Sequence, residues 1–179
     1  MKTIALIGEP ATGKSSLAKR LIDCLSLGVP FKDGLIFGTL HKTESVFVLG
    51  QYSKESKFPG TDRFSMAVQP KAIEFLSKQA ILMPRVTVFF EGDRLGTKTF
   101  LEYCEKNSQL RIVCLTASEE LKAARHKTRG DSQTQSFLKG RSTKVSNLLA
   151  AFPSAVVRKN ESEEDLRDNA SFLAELIKR

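Results

Sequence analysis

The feature that most constrains the fold lies at the start of the chain. Ile4-Ala5-Leu6-Ile7 is a short apolar run closed by Gly8, and from Lys14 onward Leu17, Leu21, Ile22 and Leu25 recur at helical spacing. An unbroken apolar run of that length suits a strand covered on both faces, as in a parallel sheet. Between strand and helix stands Gly8-Glu9-Pro10-Ala11-Thr12-Gly13-Lys14-Ser15, which satisfies the full pattern of glycine, four residues, glycine, lysine, and serine or threonine. Glycine at 8 and 13 lets the backbone wrap tightly, so that successive amide N–H groups form a nest for phosphate oxygens. The helix that follows adds the positive end of its dipole. Lys14 is expected to reach the terminal phosphates of a nucleoside triphosphate, ATP or GTP, and the Ser15 hydroxyl to ligate magnesium. The candidate nucleotide-binding residues here are Gly8, Glu9, Ala11, Thr12, Gly13, Lys14, Ser15 and Ser16.

The remaining chain alternates the two periodicities. Leu35-Ile36-Phe37 and Val46-Phe47-Val48-Leu49 are short apolar runs that fit either a hairpin or neighbouring places in the main sheet. Gln51 to Arg63 is polar, contains Pro59-Gly60, and reads as a loop. Ser65 to Leu82 reads as a helix with Met66, Ile73 and Leu76 inward, Pro70 either kinking it or marking its start. Val86 to Phe90 is a second buried strand, Thr97 to Lys106 a helix and Leu110 to Leu115 a third buried strand. Glu119 to Arg129 and Gln135 to Phe152 are helical, interrupted at Gly130-Asp131-Ser132. Ala155 to Val157 is strand-like, and Glu163 to Lys178 closes the chain as an amphipathic helix. Strands alternating with helices imply a parallel sheet with helices on both sides. At 179 residues the chain is expected to form one domain over 1–179.

Three further constellations carry chemistry. Glu91-Gly92-Asp93-Arg94 follows an apolar strand directly, and ligands of parallel sheets sit beyond the carboxyl ends of strands. Glu91 or Asp93 is therefore a candidate for holding magnesium or orienting the acceptor, in either assignment, with Arg94 beside them. Phe58-Pro59-Gly60-Thr61-Asp62-Arg63 places an acid and a base ahead of a helix. Phosphoryl transfer to an alcohol needs a carboxylate to accept the hydroxyl proton and cations for the charge on the phosphoryl group, so Asp62 is a candidate base and Arg63 a candidate clamp. Asp62 serves equally as a cap of the following helix. Lastly, Lys122, Arg125, Lys127, Arg129, Lys139, Arg141 and Lys144 face only Glu119, Glu120 and Asp131, which concentrates half of the chain's net charge of +8 in one stretch. Arg125 and Arg129 lie one helical turn apart on one face. With Gly130-Asp131-Ser132 and Gly140 as flexible points, residues 119–145 read as a lid over bound nucleotide, Arg125 and Arg129 being its nucleotide-contacting residues.

A sequence pI near 9.5 suits a polyanionic partner or serves simple solubility. No apolar run approaches the roughly 20 residues of a membrane span, and the apolar N-terminal stretch is too short for a signal peptide, so a cytoplasmic location without membrane contact is expected. Cys24, Cys104 and Cys114 have neither metal-ligand nor disulfide spacing and read as reduced packing residues. His41 and His126 are too isolated for a metal site.

The phosphate loop at Gly8 to Ser15, the acidic strand end at Glu91 to Arg94 and the Arg-bearing segment at Arg125 to Arg141 follow one another as in the P-loop kinases of the nucleotide and nucleoside kinase group, which the chain resembles over its whole length. That resemblance implies a three-layer α/β fold with a mainly parallel five-stranded sheet in the order 2-3-1-4-5 and a helical lid, with ATP and Mg2+ as donor and cofactor. An Asn-Lys-x-Asp guanine signature and a tidy aromatic and arginine pattern for a free monophosphate are both missing from the sequence. The basic balance together with Phe58 to Arg63 is similar to phage-encoded kinases that phosphorylate 5-hydroxymethyluracil in DNA. The leading expectation is therefore transfer of the ATP γ-phosphoryl to that hydroxymethyl group, with DNA as partner and a host cytoplasm as location. A kinase of a free nucleoside or nucleotide, and a nucleotide-switched binding protein, are the alternatives.

Overall fold

The structure is a computed structural model and describes residues 1–52, 59–130 and 133–178. In chain order the elements are β1 (Lys2–Gly8), α1 (Lys14–Asp23), β2 (Gly28–Asp33), β3 (Ile36–His41), β4 (Val46–Leu49), a 3-10 turn (Thr61–Arg63), α2 (Val68–Leu82), β5 (Thr87–Glu91), α3 (Lys98–Asn107), β6 (Gln109–Thr116), α4 (Glu119–Arg129), α5 (Gln135–Ala151), β7 (Val156–Lys159) and α6 (Glu163–Lys178).

These strands form a seven-stranded sheet in the order β2-β3-β4-β5-β1-β6-β7. From β4 to β7 all pairings are parallel. Those five strands, counted along the chain, stand in the expected order 2-3-1-4-5. Two antiparallel strands, β2 and β3, extend the sheet beyond β4, which corrects the count of five. Both readings of the runs at 35–37 and 46–49 hold at once, since β3 pairs antiparallel with β4 and β4 also lies parallel to β5. β2 has no apolar run and carries Pro30, a residue tolerated at a sheet edge because one side of the strand needs no donor. A two-residue turn beginning at Gly34, with φ +59°, joins it to β3.

β1 shows why the N-terminal run is apolar throughout. Ile4 and Leu6 face Leu17, Leu21, Leu173 and Ile177 of α1 and α6, whereas Ala5 and Ile7 belong to the layer of Phe75, Leu76, Phe100, Leu101 and Leu148 from α2, α3 and α5. Helices therefore cover both faces of the sheet. α2 begins three residues later than the sequence pattern implies, and Pro70 lies in its first turn, where backbone N–H groups have no intrahelical acceptor. Met66 consequently lies before the helix and is 77% exposed, not inward. Cys104 and Cys114 are buried as expected, while Cys24 is exposed. No helix among the described residues is long and apolar enough to cross a membrane.

Candidate active site

The parallel register brings the ends of β1, β5 and β6 together: Leu6 lies opposite Glu91 on one side and Val113 on the other, and Gly8 opposite Leu115. The loop from Gly8 to Gly13 leaves this edge and turns into α1. Its two glycines are required by space as well as by backbone angle. At Gly8, φ is +144° and a Cβ would stand 2.5 Å from the Leu115 carbonyl oxygen; at Gly13, φ is +92° and a Cβ would collide with the Asn160 side chain. Ala11 also takes a left-handed conformation, φ +61°, which a non-glycine residue rarely adopts outside functional turns. The Thr12 hydroxyl donates to the Glu9 carbonyl at 2.9 Å and holds the loop closed.

Lys14 bends back over this loop, its ammonium donating to the carbonyl oxygens of Gly8 and Glu9 at 2.8 Å each. Burial lowers its pKa, opposed by the nearby carboxylates of Glu91, Asp93 and Asp62. The Ser15 hydroxyl donates to Glu91 Oε1 at 3.1 Å, and Ser16, next along α1, is exposed. Glu91 is 2% exposed, and its pKa is raised to about 7, first by burial and further by Asp62 and Asp93, against Lys14 and Ser15. A hydroxyl and a buried carboxylate meeting at the mouth of a phosphate nest is the hard-oxygen donor set that magnesium accepts, with its remaining ligands drawn from phosphate and water. Among the described residues no cluster of three or more His, Cys, Asp or Glu could hold a metal. Magnesium there would neutralise charge on the phosphate oxygens.

Facing this donor end, residues 59–63 are fastened to the end of β5. The Thr61 hydroxyl donates to the Glu91 carbonyl at 2.7 Å, and the Asp93 N–H donates to Asp62 Oδ1 at 2.8 Å. Gly60, φ +75°, lies so close to Glu91 that a Cβ would strike its carboxylate. Asp62 therefore does not cap α2, whose N-cap position is Ala67 with no side-chain cap; it caps the 91–93 turn and remains exposed beside it. Arg63 is exposed. Arg94 points back, its Nε donating to the Phe64 carbonyl at 3.3 Å, and braces the loop from behind. Phe58, part of the same sequence constellation, lies outside the described residues.

The segment expected to act as a lid carries α4 and the first turns of α5, and four of its cations turn inward. Lys122 pairs with Glu9 and, at 2.6 Å, with Glu119; burial disfavours its ammonium, yet these two carboxylates raise its pKa overall. Ser142 donates to the other oxygen of Glu9 at 3.0 Å. Arg125 donates to the carbonyls of Ala11 at 3.0 Å and Asn160 at 3.1 Å. Arg141 and Lys144 pair with Asp93 at 3.0 and 3.3 Å. Arg129, on the same face of α4 but a turn further out, is exposed, as are Lys127 and Lys139. Asp131 and Ser132 lie outside the described residues, while Gly130, φ +62°, ends α4 in a left-handed cap.

Sequence reasoning missed Asn160. Its side-chain amide donates to the Thr12 carbonyl at 2.8 Å and it follows the carboxyl end of β7, so it reaches the phosphate loop from the far side of β6. The signal was weak, because β7 is short and mostly exposed and Arg158 and Lys159 stand between its two valines and Asn160; only the position of Asn160 just past a strand end could have marked it.

The sequence profile of the P-loop Nucleotide Kinase3 family matches residues 1–164. The chain belongs to that family. Membership in a nucleotide kinase family, together with a complete phosphate loop opposite clustered carboxylates, makes this P-loop kinase a phosphotransferase rather than a nucleotide-switched binding protein. No curated protein matches it in sequence. Among solved structures it is similar to a gluconokinase from Sinorhizobium meliloti 1021, with a TM-score of 0.54 at 19% identity over 99% of this chain and 94% of that one. A shikimate kinase from Bacteroides thetaiotaomicron gives a TM-score of 0.43 at 17% identity, covering 99% and 98% respectively.

Proposed function

We propose that this P-loop kinase transfers the γ-phosphoryl group of ATP, with Mg2+, to an alcohol on a free nucleoside or nucleotide. The observation that carries the choice of a free acceptor is the direction of the basic side chains. Lys122, Arg125, Arg141 and Lys144 are engaged with Glu9, Ala11, Asn160 and Asp93 around the phosphate loop, so the charge concentrated at 119–145 serves the site itself. A surface for a nucleic-acid backbone needs such cations turned outward.

In this reading Lys14 leaves its two carbonyl partners for the terminal phosphates, and Ser15 and Glu91 hold magnesium. Asp62, exposed at the acceptor side and oriented by the Asp93 N–H, takes the proton of the attacking alcohol, and Arg63 faces the transferred phosphoryl. Residues 119–145 act as a lid over the nucleotide, with Arg125, already at the phosphate loop, and the more exposed Arg129 as its nucleotide-contacting residues. ATP supply makes the cytoplasm the natural place for this reaction.

The DNA acceptor expected from the sequence stays as a second reading, supported by the net charge of +8 and by Lys127, Arg129 and Lys139, which are exposed. The test is transfer of label from [γ-32P]ATP to free 5-hydroxymethyl-2′-deoxyuridine, to its 5′-monophosphate and to duplex DNA containing 5-hydroxymethyluracil. Label in the free compounds with none in DNA is the expected result. Label confined to DNA, falling steeply with added salt, overturns the free-acceptor reading in favour of the second one.

A further inference from the structure

Tyr52 stands at the acceptor end of the site and has no role in what is derived above. It follows Gln51, whose backbone pairs with Gly60 in both directions, N–H to O at 3.3 and 2.8 Å. Gly60 in turn abuts the Glu91 carboxylate. The ring packs against the apolar layer that contains Leu17, Val48 and Phe89. Its hydroxyl is buried and makes no hydrogen bond, the one buried side-chain oxygen or nitrogen among the described residues in that condition. Burial, then the charges of Glu91 and Asp62, push the phenol pKa well above its ordinary value, so the group keeps its proton and is a donor.

A buried hydroxyl without a partner is costly, and a ligand that supplies the partner removes that cost. Neither Glu91 nor Asp62 accepts a hydrogen bond from it. The charge of Asp62, which acts on this hydroxyl, disfavours an anion there, so the missing partner is an uncharged oxygen and not a phosphate. We propose that the Tyr52 hydroxyl donates a hydrogen bond to a neutral hydroxyl or carbonyl oxygen of the acceptor substrate, placing the alcohol to be phosphorylated beside Asp62 and Glu91. Tyr52 then selects acceptors that carry this second oxygen, because a substrate lacking it leaves the buried donor unmatched. The inference rests on the kinase reading above.

The test is Tyr52→Phe in the full chain, with 5-hydroxymethyl-2′-deoxyuridine, its 5′-monophosphate and hydroxymethyluracil-containing DNA as acceptor probes. Removing an orphaned hydroxyl is expected to leave the urea midpoint of the free protein unchanged or raised. MgATP affinity is expected to stay the same, while KM for the accepted probe rises about tenfold with a smaller change in kcat. A lowered urea midpoint shows that the hydroxyl is already satisfied within the fold and overturns the proposal. So does an unchanged acceptor KM in a variant that still turns over. If the wild-type protein phosphorylates none of the probes, the acceptor reading falls and this proposal with it, a result read from wild type alone and distinct from the variant's failure.

Discussion

Replacing Glu91 by Gln tests the electrostatics of the site through stability, independently of any substrate. In the folded protein the Glu91 carboxyl has a pKa of about 7, against 4.5 in an unfolded chain, because it is buried and lies near Asp62 and Asp93. The folded state therefore binds this proton more tightly than the unfolded state. The resulting stabilisation is fully present below about pH 4.5 and is lost as pH rises through about 7. Evaluating the two titrations between about pH 5 and about pH 8 gives a loss of about 2.5 kcal/mol for the wild type, an order-of-magnitude figure. Gln has the same shape and still accepts from Ser15, but it cannot titrate, so the variant lacks this slope. The assay is urea unfolding of both proteins in chelator-treated, metal-free buffer across that pH range. The wild type is expected to fall relative to Glu91→Gln by about 2 to 3 kcal/mol as pH rises. Parallel pH profiles refute the reasoning, because they mean that Glu91 is already ionised in the free protein and that burial does not govern it.

Lys14→Ala is expected to lower kcat/KM by about 100-fold or more, since it removes an ammonium that bends back over the phosphate nest; steady-state kinetics with near-normal turnover would contradict its assignment. Asp62→Asn retains the oxygen that accepts from the Asp93 N–H, so the turn and the affinity for MgATP should survive while kcat falls by about 100-fold or more; equal kcat would remove Asp62 as the base. Gly60→Ala forces a Cβ onto the Glu91 carboxylate at a backbone φ of +75°. It should cost about 1–3 kcal/mol in urea unfolding and impair transfer as well, whereas a neutral result would mean that the contact is readily relaxed.

The donor half of the site was legible because its determinants are local. Strand, glycine loop and helix lie within the first 25 residues, and the steric need for Gly8 and Gly13 is written in their identity. The five parallel strands announced themselves by apolar runs, and strand-end carboxylates followed from where such strands end. Edge strand β2 was not legible, since its half-exposed sequence with Pro30 carries no period that marks a strand. Arg94 shows the limit at single-residue scale: its position beside Asp93 made it a candidate catalytic residue, and its Nε donates to the Phe64 carbonyl.

By itself the sequence determined the nucleotide-binding loop, the α/β class and the list of charged residues. The tertiary structure alone decided which way those charges face. Lys122 and Ser142 meet Glu9 from more than a hundred residues away, Arg141 and Lys144 meet Asp93 from about fifty, and Asn160 reaches Thr12 across the width of β6. Local periodicity states how a segment folds but not what it folds against. Of the basic stretch that reads as a lid, packing turns Lys122, Arg125, Arg141 and Lys144 toward the phosphate loop and Asp93 and leaves Lys127, Arg129 and Lys139 exposed.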